Sequence, residues 1–500
     1  MGQNSDYALV FRGQSNDFAY EVQAIAKIFI PGTRFLIITD GSIPDVANVI
    51  LTSIENSQES PEKKICKVNI QLHGQEMTRS IDVPQNLSKE ELELALCRLL
   101  YDVLQKMTSY MPPWGMLTGI RPVRKVIQAL DAGMTPEEAC QSLQKRYLIS
   151  DEKMQLALDT ALVQQPILPH SPKEIGLYIS IPFCPTRCSY CSFVSHSMDT
   201  AYKLIPGYIE KLCEEIKVYG EIIRRFGLQV QSVYIGGGTP TSISAEQLKT
   251  VMTAISRHID IAGAREYTVE AGRADTITEE KLRVIREMGA TRISVNPQTL
   301  QDSVLEAIGR RHTAQQAIDA FLLARELGFD DINMDLIAGL PTDTFDGFAD
   351  TLRRVMALEP DSITVHTLTL KRSASLYHGD HDQSAAVSEI ARMAALSAKE
   401  LPGAGWRPYY LYRQKNTLGN LENVGYAKPG KENLYNILIM DETQTILAAG
   451  CAASTKLVEP NGDITRVMNY KFPYEYIDRF DQMMEKKREV EEVLRRMSRS

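Results

Sequence analysis

No uninterrupted apolar run in this sequence approaches the ~18 residues that a membrane-spanning helix needs. The start, MGQNSDYALVFRG, has no basic-then-apolar leader pattern. These two absences argue against membrane spanning and secretion, and make a cytoplasmic location the expectation. Surplus positive charge is missing too: a net charge of −8 gives no global attraction for nucleic acid or anionic lipid. A small-molecule partner is therefore the better expectation. Nor is there a disulfide framework, because Cys66, Cys97, Cys140, Cys213 and Cys451 stand singly, as buried thiols of a reducing compartment do. What is present is ordinary globular composition, 44% hydrophobic and 24% charged over 500 residues, enough for a large core and two or three domains.

The remaining three cysteines are concentrated. Cys184, Cys188 and Cys191 stand in FCPTRCSYC with the spacing CxxxCxxC, one short of the four ligands of a structural zinc site and unsuited to pairing. Their surroundings follow from the order of elements. Residues 1–110 read as an α+β domain: YALVFRG, RFLIITDG, a hairpin turning at His73-Gly74, then helical SKEELELALCRLLYDVLQKM with Ser88 and Glu91 as a capping box. Residues 111–170 read as a helical connector opening at PPWG and ending in the proline-rich linker QQPILPHSPKE. From 171 to 375, short β-rich runs alternate with amphipathic helices: IGLYISI, VQSVYI, REYTVE, TRISV, DINMDLI and DSITVHTL. Between the first two runs, Ile205, Tyr208, Leu212, Ile216, Tyr219 and Ile223 recur every three or four residues, the mark of a core-facing helix. Six such alternations predict a parallel α/β barrel or an open arc of one, with a doubly wound sheet as the competing fold. Over 376–500, YYLYRQ, NILIMDE and TQTILAAGCAAST read as strands packing on the barrel, and EKKREVEEVLRRM as a terminal helix.

In parallel α/β architectures the loops after the strands share one rim, where sites form. Here those loops carry, in order, the three cysteines, GGGTPT (Gly236 to Thr241), Glu270 in EAGR, Gln298 in NPQTL, and GLP beside Asp335. Soft thiolates in a rim loop suit an iron–sulfur cluster, and three ligands on a four-iron cube leave one iron open. Two alternatives stand beside this: a zinc site completed by His196, and three unliganded thiols. The glycine run permits close backbone approach to a ligand.

CxxxCxxC after the first strand with GGGTP after the second resembles the radical S-adenosylmethionine (SAM) superfamily. The longer strings YISIPFCPTRCSYC, GGGTPT, GRRHT and NMDLIAGLP, with Gln298, are similar to the oxygen-independent coproporphyrinogen III oxidases, or dehydrogenases, and their heme-chaperone relatives, over residues 176–455. The extra amino-terminal region with TGIRPVRK, Thr118 to Lys125, is most like a HemZ-type branch. The resemblance implies a partial (β/α)6 radical SAM barrel, an amino-terminal α+β domain and a small carboxyl-terminal extension. It implies a [4Fe-4S] cluster on Cys184, Cys188 and Cys191 whose open iron takes SAM. Tyr178 and Tyr190 match positions lining that region, Gly237, Gly238 and Thr239 match backbone contacts to SAM, and Glu270 matches a polar contact. Gln298, Arg310 and Asp335 match positions around a second SAM, so one or two molecules are expected; Tyr178 and Arg310 are the candidate catalytic residues. A donor such as ferredoxin or flavodoxin, at roughly −400 mV, would reduce the cluster, and a 5′-deoxyadenosyl radical would take hydrogen from the β-carbon of a substrate propionate, whose carboxylate then leaves as CO₂ with loss of one electron to an acceptor, giving a vinyl group. Arg310, Arg311, Lys371 and Arg372 are candidates to hold the tetrapyrrole's carboxylates.

Four departures from the family pattern stand out, the first two bearing on substrate turnover. Phe193 stands where the best-known dehydrogenases carry a further cysteine, and Ser180 where the family has a histidine. EAGR replaces a proline-containing string and NPQTL replaces the common GVQ pattern; the chain also stops soon after TQTILAAGCAAST. The competing functional readings are a heme chaperone that binds heme and SAM without decarboxylation, with His366 as a conceivable heme ligand, and radical SAM chemistry on another substrate.

Overall fold

The computed structural model describes residues 6–169, 171–191, 195–369, 383–414 and 420–498. The chain divides into two compact units, Met1–Gln155 with Arg413–Leu421, and Leu156–Tyr412 with Glu422–Ser500.

In the first unit, β1 (Tyr7–Gly13), β2 (Leu36–Ile38), β3 (Asn48–Asn56), β4 (Lys63–Leu72) and β5 (Gln75–Pro84) form a mixed sheet in the order β2-β1-β3-β4-β5. β1 is parallel to β2 and β3, and β3-β4-β5 is an antiparallel meander. The β4–β5 turn is His73-Gly74, both with positive φ (49° and 78°), the combination whose twist matches the flanking strands. Helices Ala19–Phe29 and Lys89–Thr108 cover one face, burying Val22, Ile25, Leu96 and Leu100 against Phe11, Ile50 and Val68. Ser88 and Glu91 exchange the two bonds of a capping box. Helix Ala19–Phe29 and β3 are not foreseen in the sequence reading. The helix does carry a stripe, Val22, Ile25, Ala26 and Phe29 at spacings of three and four, whereas β3 has no alternation, being buried at its first seven residues because Val49 and Leu51 join a second cluster on the opposite face.

The second unit is built on β6 (Glu174–Ile181), a two-residue pair β7 (Phe183–Cys184) and β8 (His196–Ser197), then β9 (Gln229–Gly237), β10 (Glu266–Gly272), β11 (Arg292–Val295), β12 (Ile332–Ala338), β13 (Ser362–Thr367), β14 (Arg407–Arg413), β15 (Glu422–Ala427), β16 (Thr445–Ala449), β17 (Ser454–Val458) and β18 (Ile464–Met468). Its large sheet has the order β14-β15-β13-β12-β11-β10-β9-β6-β16-β17-β18. Six strands, β6, β9, β10, β11, β12 and β13, are all parallel and lie side by side in that order, with helices between them. That is the arc of a partial (β/α)6 barrel; a doubly wound sheet would reverse its strand order at a switch point among these strands. β16 extends the arc in parallel beyond β6, and β15, β17 and β18 are antiparallel additions. NILIMDE, expected as a strand, is instead part of helix Leu434–Asp441, started by the Asn433 side chain accepting from the Asn436 amide. A short, continuously apolar run has no period to tell a buried helix from a buried strand.

Helix Ile205–Phe226 buries the whole predicted stripe and stops at Gly227. It also buries Glu215, which accepts from Lys487 (2.6 Å), Tyr476 (2.6 Å), Asn469 (2.9 Å) and the Gly450 amide (2.8 Å). The carboxyl-terminal helix Lys487–Met497 is thereby tied to the first barrel helix and to the turn after β16.

Candidate cofactor site

The cysteine loop leaves β6 at Ile181 and is closed at its base by the β7–β8 pair. Cys184 and Cys188 are buried and Cys191 half-buried, and the Cys191 amide donates to the Cys188 carbonyl (3.1 Å). Two other rim loops grip this one. From the glycine loop, the Gly238 amide donates to Ile181 O (2.8 Å), the Thr239 amide to Phe183 O (2.7 Å), and the Thr239 hydroxyl lies 3.4 Å from Cys184 Sγ. From the loop after β11, Ile308 O accepts from the Ser189 amide (3.1 Å), and Gly309 O from the Thr186 hydroxyl (3.1 Å). Arg310 reaches in with one nitrogen on Asn296 O (2.7 Å) and another on the Tyr190 hydroxyl (3.0 Å). Two glycines are required by this fit. Gly237 sits at φ 116°, and a Cβ at Gly238 would lie 2.6 Å from Phe183 O and 3.0 Å from Cys184 Sγ.

Below the loop, β10, β12 and β13 are each buried at every residue but one: Glu270, Asp335 and His366. Past its first residue, β6 shows the same pattern with Tyr178. These partly exposed groups lie together. The Tyr178 ring stacks with those of Tyr234 and Tyr435 (6.1 and 5.9 Å between centroids), and Tyr234 donates to Glu270 Oε1 at 2.5 Å. Burial pushes the Glu270 carboxyl up to about 7, with the charge of Asp335 adding to the shift. Asp335 goes the other way: burial opposes its ionisation, but His366, whose Nε2 is 3.8 Å away, and Asn333, donating at 2.7 Å, outweigh that and hold it below the usual carboxylate range.

Gln298 is joined to Asp335 through the backbone, its amide donating to Asp335 O (2.9 Å), and it holds a left-handed φ of 67°. Its side-chain oxygen is buried without a hydrogen-bond partner, as are Asn296 Oδ1 and Arg310 Nε. Such orphans cost about 1–3 kcal/mol each, so three around the end of β11, beside a left-handed residue, fit a site that a polar ligand completes.

The structure thus brings the cysteines, Tyr190, Gly237, Gly238, Thr239 and Arg310 into one layer, and Tyr178, Glu270, Gln298 and Asp335 into the strand ends beneath. Arg311 is not part of this: it is exposed, 3.9 Å from Asp199. Phe193, Lys371 and Arg372 lie outside the described residues. Sequence reasoning overlooked Tyr234, Tyr435, Arg273 and Asp275. Arg273 was visible in EAGR, at a rim position, but Tyr435 comes from the helix misread as a strand. Among the described residues no three His, Cys, Asp or Glu side chains are posed to hold one metal ion, which leaves the zinc alternative without its geometry, and the His196 ring packs edge-on against Phe472 (5.8 Å). A cuboidal cluster asks something different, one thiolate for each of three corner irons, and three soft donors beneath a Cβ-free backbone fit it.

Residues 178–355 match the radical SAM superfamily. The chain is 41% identical over 417 residues, 82% of its length and 83% of the relative's, to the oxygen-independent coproporphyrinogen-III oxidase-like protein HemZ of Bacillus subtilis strain 168. The chain belongs to this radical SAM family. The HemZ-family chain is also 31% identical over 315 residues, 61% of its own length and 76% of the relative's, to the heme chaperone HemW of Haemophilus influenzae. It shares its fold with the coproporphyrinogen III oxidase HemN from Escherichia coli, at a TM-score of 0.51 and 23% identity over 64% of this chain and 72% of that one. Membership of the superfamily carries a [4Fe-4S] cluster and SAM as cofactors. No helix among the described residues is long and apolar enough to cross a membrane.

Proposed function

We propose that this HemZ-family chain converts two of the four propionates of coproporphyrinogen III to vinyl groups by oxidative decarboxylation, giving protoporphyrinogen IX without oxygen, in the cytoplasm and with a low-potential ferredoxin or flavodoxin as electron donor. The observation that carries this reading is the two-layer site: a clamped three-cysteine loop over a cluster of partly exposed Tyr, Glu, Asp and His side chains inside an otherwise buried arc. Likeness to HemZ over most of both chains supports a coproporphyrinogen substrate.

In this reading Cys184, Cys188 and Cys191 hold the cluster. The cluster and SAM supply hydrogen-atom abstraction when bound. Gly237, Gly238 and Thr239 present backbone to SAM, with Tyr178, Tyr190 and Glu270 lining it; Gln298 and Arg310 offer unsatisfied polar atoms, with the Asp335 carboxylate beside them, that a second SAM would complete. Arg310 and Tyr178 touch cofactor in this arrangement. Arg310 also orients Tyr190 and, with its fixed charge, suits a carboxylate.

The heme-chaperone reading is favoured by a specific observation, the 31% identity to HemW. Anaerobic incubation of the reconstituted chain with SAM, reductant and coproporphyrinogen III separates the two. Protoporphyrinogen IX with methionine and 5′-deoxyadenosine is the expected result; stable heme uptake with coproporphyrinogen untouched would move the assignment to the chaperone.

A further inference from the structure

EAGR, which stands where the resembling family has a proline-containing string, places its arginine under the cysteine loop. Arg273 is buried, with 4% of its side chain exposed. Its Nε and one terminal nitrogen grip both oxygens of Asp275 (2.9 and 2.7 Å), a two-point fork that fixes the guanidinium plane. The other terminal nitrogen, Nη1, then points at the loop: to Thr186 O (3.1 Å), Thr186 Oγ1 (2.8 Å) and Cys188 Sγ (3.9 Å). His312 Nδ1 lies 3.7 Å from Asp275 Oδ1, beyond hydrogen-bonding distance. Arg310, bonded to the Tyr190 hydroxyl (3.0 Å), brings a second guanidinium to the same loop.

We propose that Arg273 is a positioning residue that sets the reduction potential of the cluster, by donating a hydrogen bond to Cys188 Sγ while Asp275 and Thr186 hold it in register. This rests on the reading that Cys188 is a cluster ligand. An N–H donated to a ligating sulfur favours the state with the extra electron, and such bonds are among the determinants of iron–sulfur potentials. Lysine cannot replace the arrangement, because a single ammonium has no fork with which to hold Asp275 and the loop at once.

The test is an anaerobic redox titration of the reconstituted full chain, followed by the electron paramagnetic resonance of the reduced cluster, with iron per chain measured alongside. Arg273→Gln is expected to retain iron and become harder to reduce. At the wild-type midpoint its reduced-to-oxidised ratio falls about tenfold, equivalent to about 59 mV for one electron. Arg273→Lys should fall between the two. Wild-type midpoints in both variants would overturn the proposal. So would loss of iron from both with an unchanged circular dichroism spectrum, since that outcome assigns Arg273 to loop anchoring alone. Cys188→Ala run in parallel tests the underlying reading: a full cluster in that variant sinks the ligand assignment, whatever Arg273 does.

Discussion

Gly238→Ala is the sharpest perturbation of the clamp between the glycine and cysteine loops. The added Cβ would meet Phe183 O at 2.6 Å and Cys184 Sγ at 3.0 Å. The oxygen is backbone, so no side chain can rotate out of the way, and the same carbonyl accepts the Thr239 amide at 2.7 Å. Overpacking of this kind costs about 1–3 kcal/mol. The lower conformational freedom of alanine in the unfolded chain returns about 0.4–1 kcal/mol. The net, roughly 1–2 kcal/mol, is a five- to thirty-fold change in a local opening equilibrium. Hydrogen exchange of the segment 236–241, read by mass spectrometry, reports that equilibrium without requiring the whole chain to unfold in two states. Gly263→Ala is the control, because its Cβ would meet nothing within 4 Å. Exchange in the segment should be five- to thirty-fold faster in Gly238→Ala and unchanged in the control; equal exchange in both would refute the clamp.

Three further outcomes are expected. Glu270, raised to about 7 by burial, is protonated in both folded and unfolded chains below about pH 4.5, and as pH rises through 7 the folded state must ionise a buried group and stability falls. Glu270→Gln should therefore melt with the wild type near pH 5 and above it near pH 8, a gap that a thermal melt series would show or exclude. Lys487→Met leaves Glu215 charged and buried without its cation, at a cost of about 3–5 kcal/mol, and the double variant Glu215→Gln, Lys487→Met should recover much of it in urea unfolding; a mild single variant would mean that Tyr476 and Asn469 suffice. Gln298→Gly removes a left-handed strain of about 1 kcal/mol or more, so it should leave the melting temperature equal or higher while weakening SAM binding measured by equilibrium dialysis. Unchanged SAM binding would free Gln298 from that role.

Much of the site was legible because it is written locally. CxxxCxxC and the glycine run are adjacent in sequence to the strands that present them, and six buried strands alternating with helices such as Ile205–Phe226 have a period that composition cannot hide. The reading failed where neighbours in space, not in sequence, decide. Helix Leu434–Asp441 looks like a strand until Asn433 caps it, and it delivers Tyr435 to a ring stack whose other members come from β6 and β9. β3 has no alternation because both of its faces are covered. Arg273 was present in the quoted string, yet its partners Thr186 and Cys188 are some 85 residues away, and only the folded arc joins them.

Coproporphyrinogen III deuterated at the propionate β-carbons, incubated anaerobically with the reconstituted chain, SAM and reductant, gives the most direct measurement of where the hydrogen atom comes from. Vinyl-bearing product and 5′-deoxyadenosine carrying deuterium are expected, with neither formed by Cys184→Ala, Cys188→Ala or Cys191→Ala. Unlabelled 5′-deoxyadenosine with the porphyrinogen recovered intact would contradict the proposed decarboxylation.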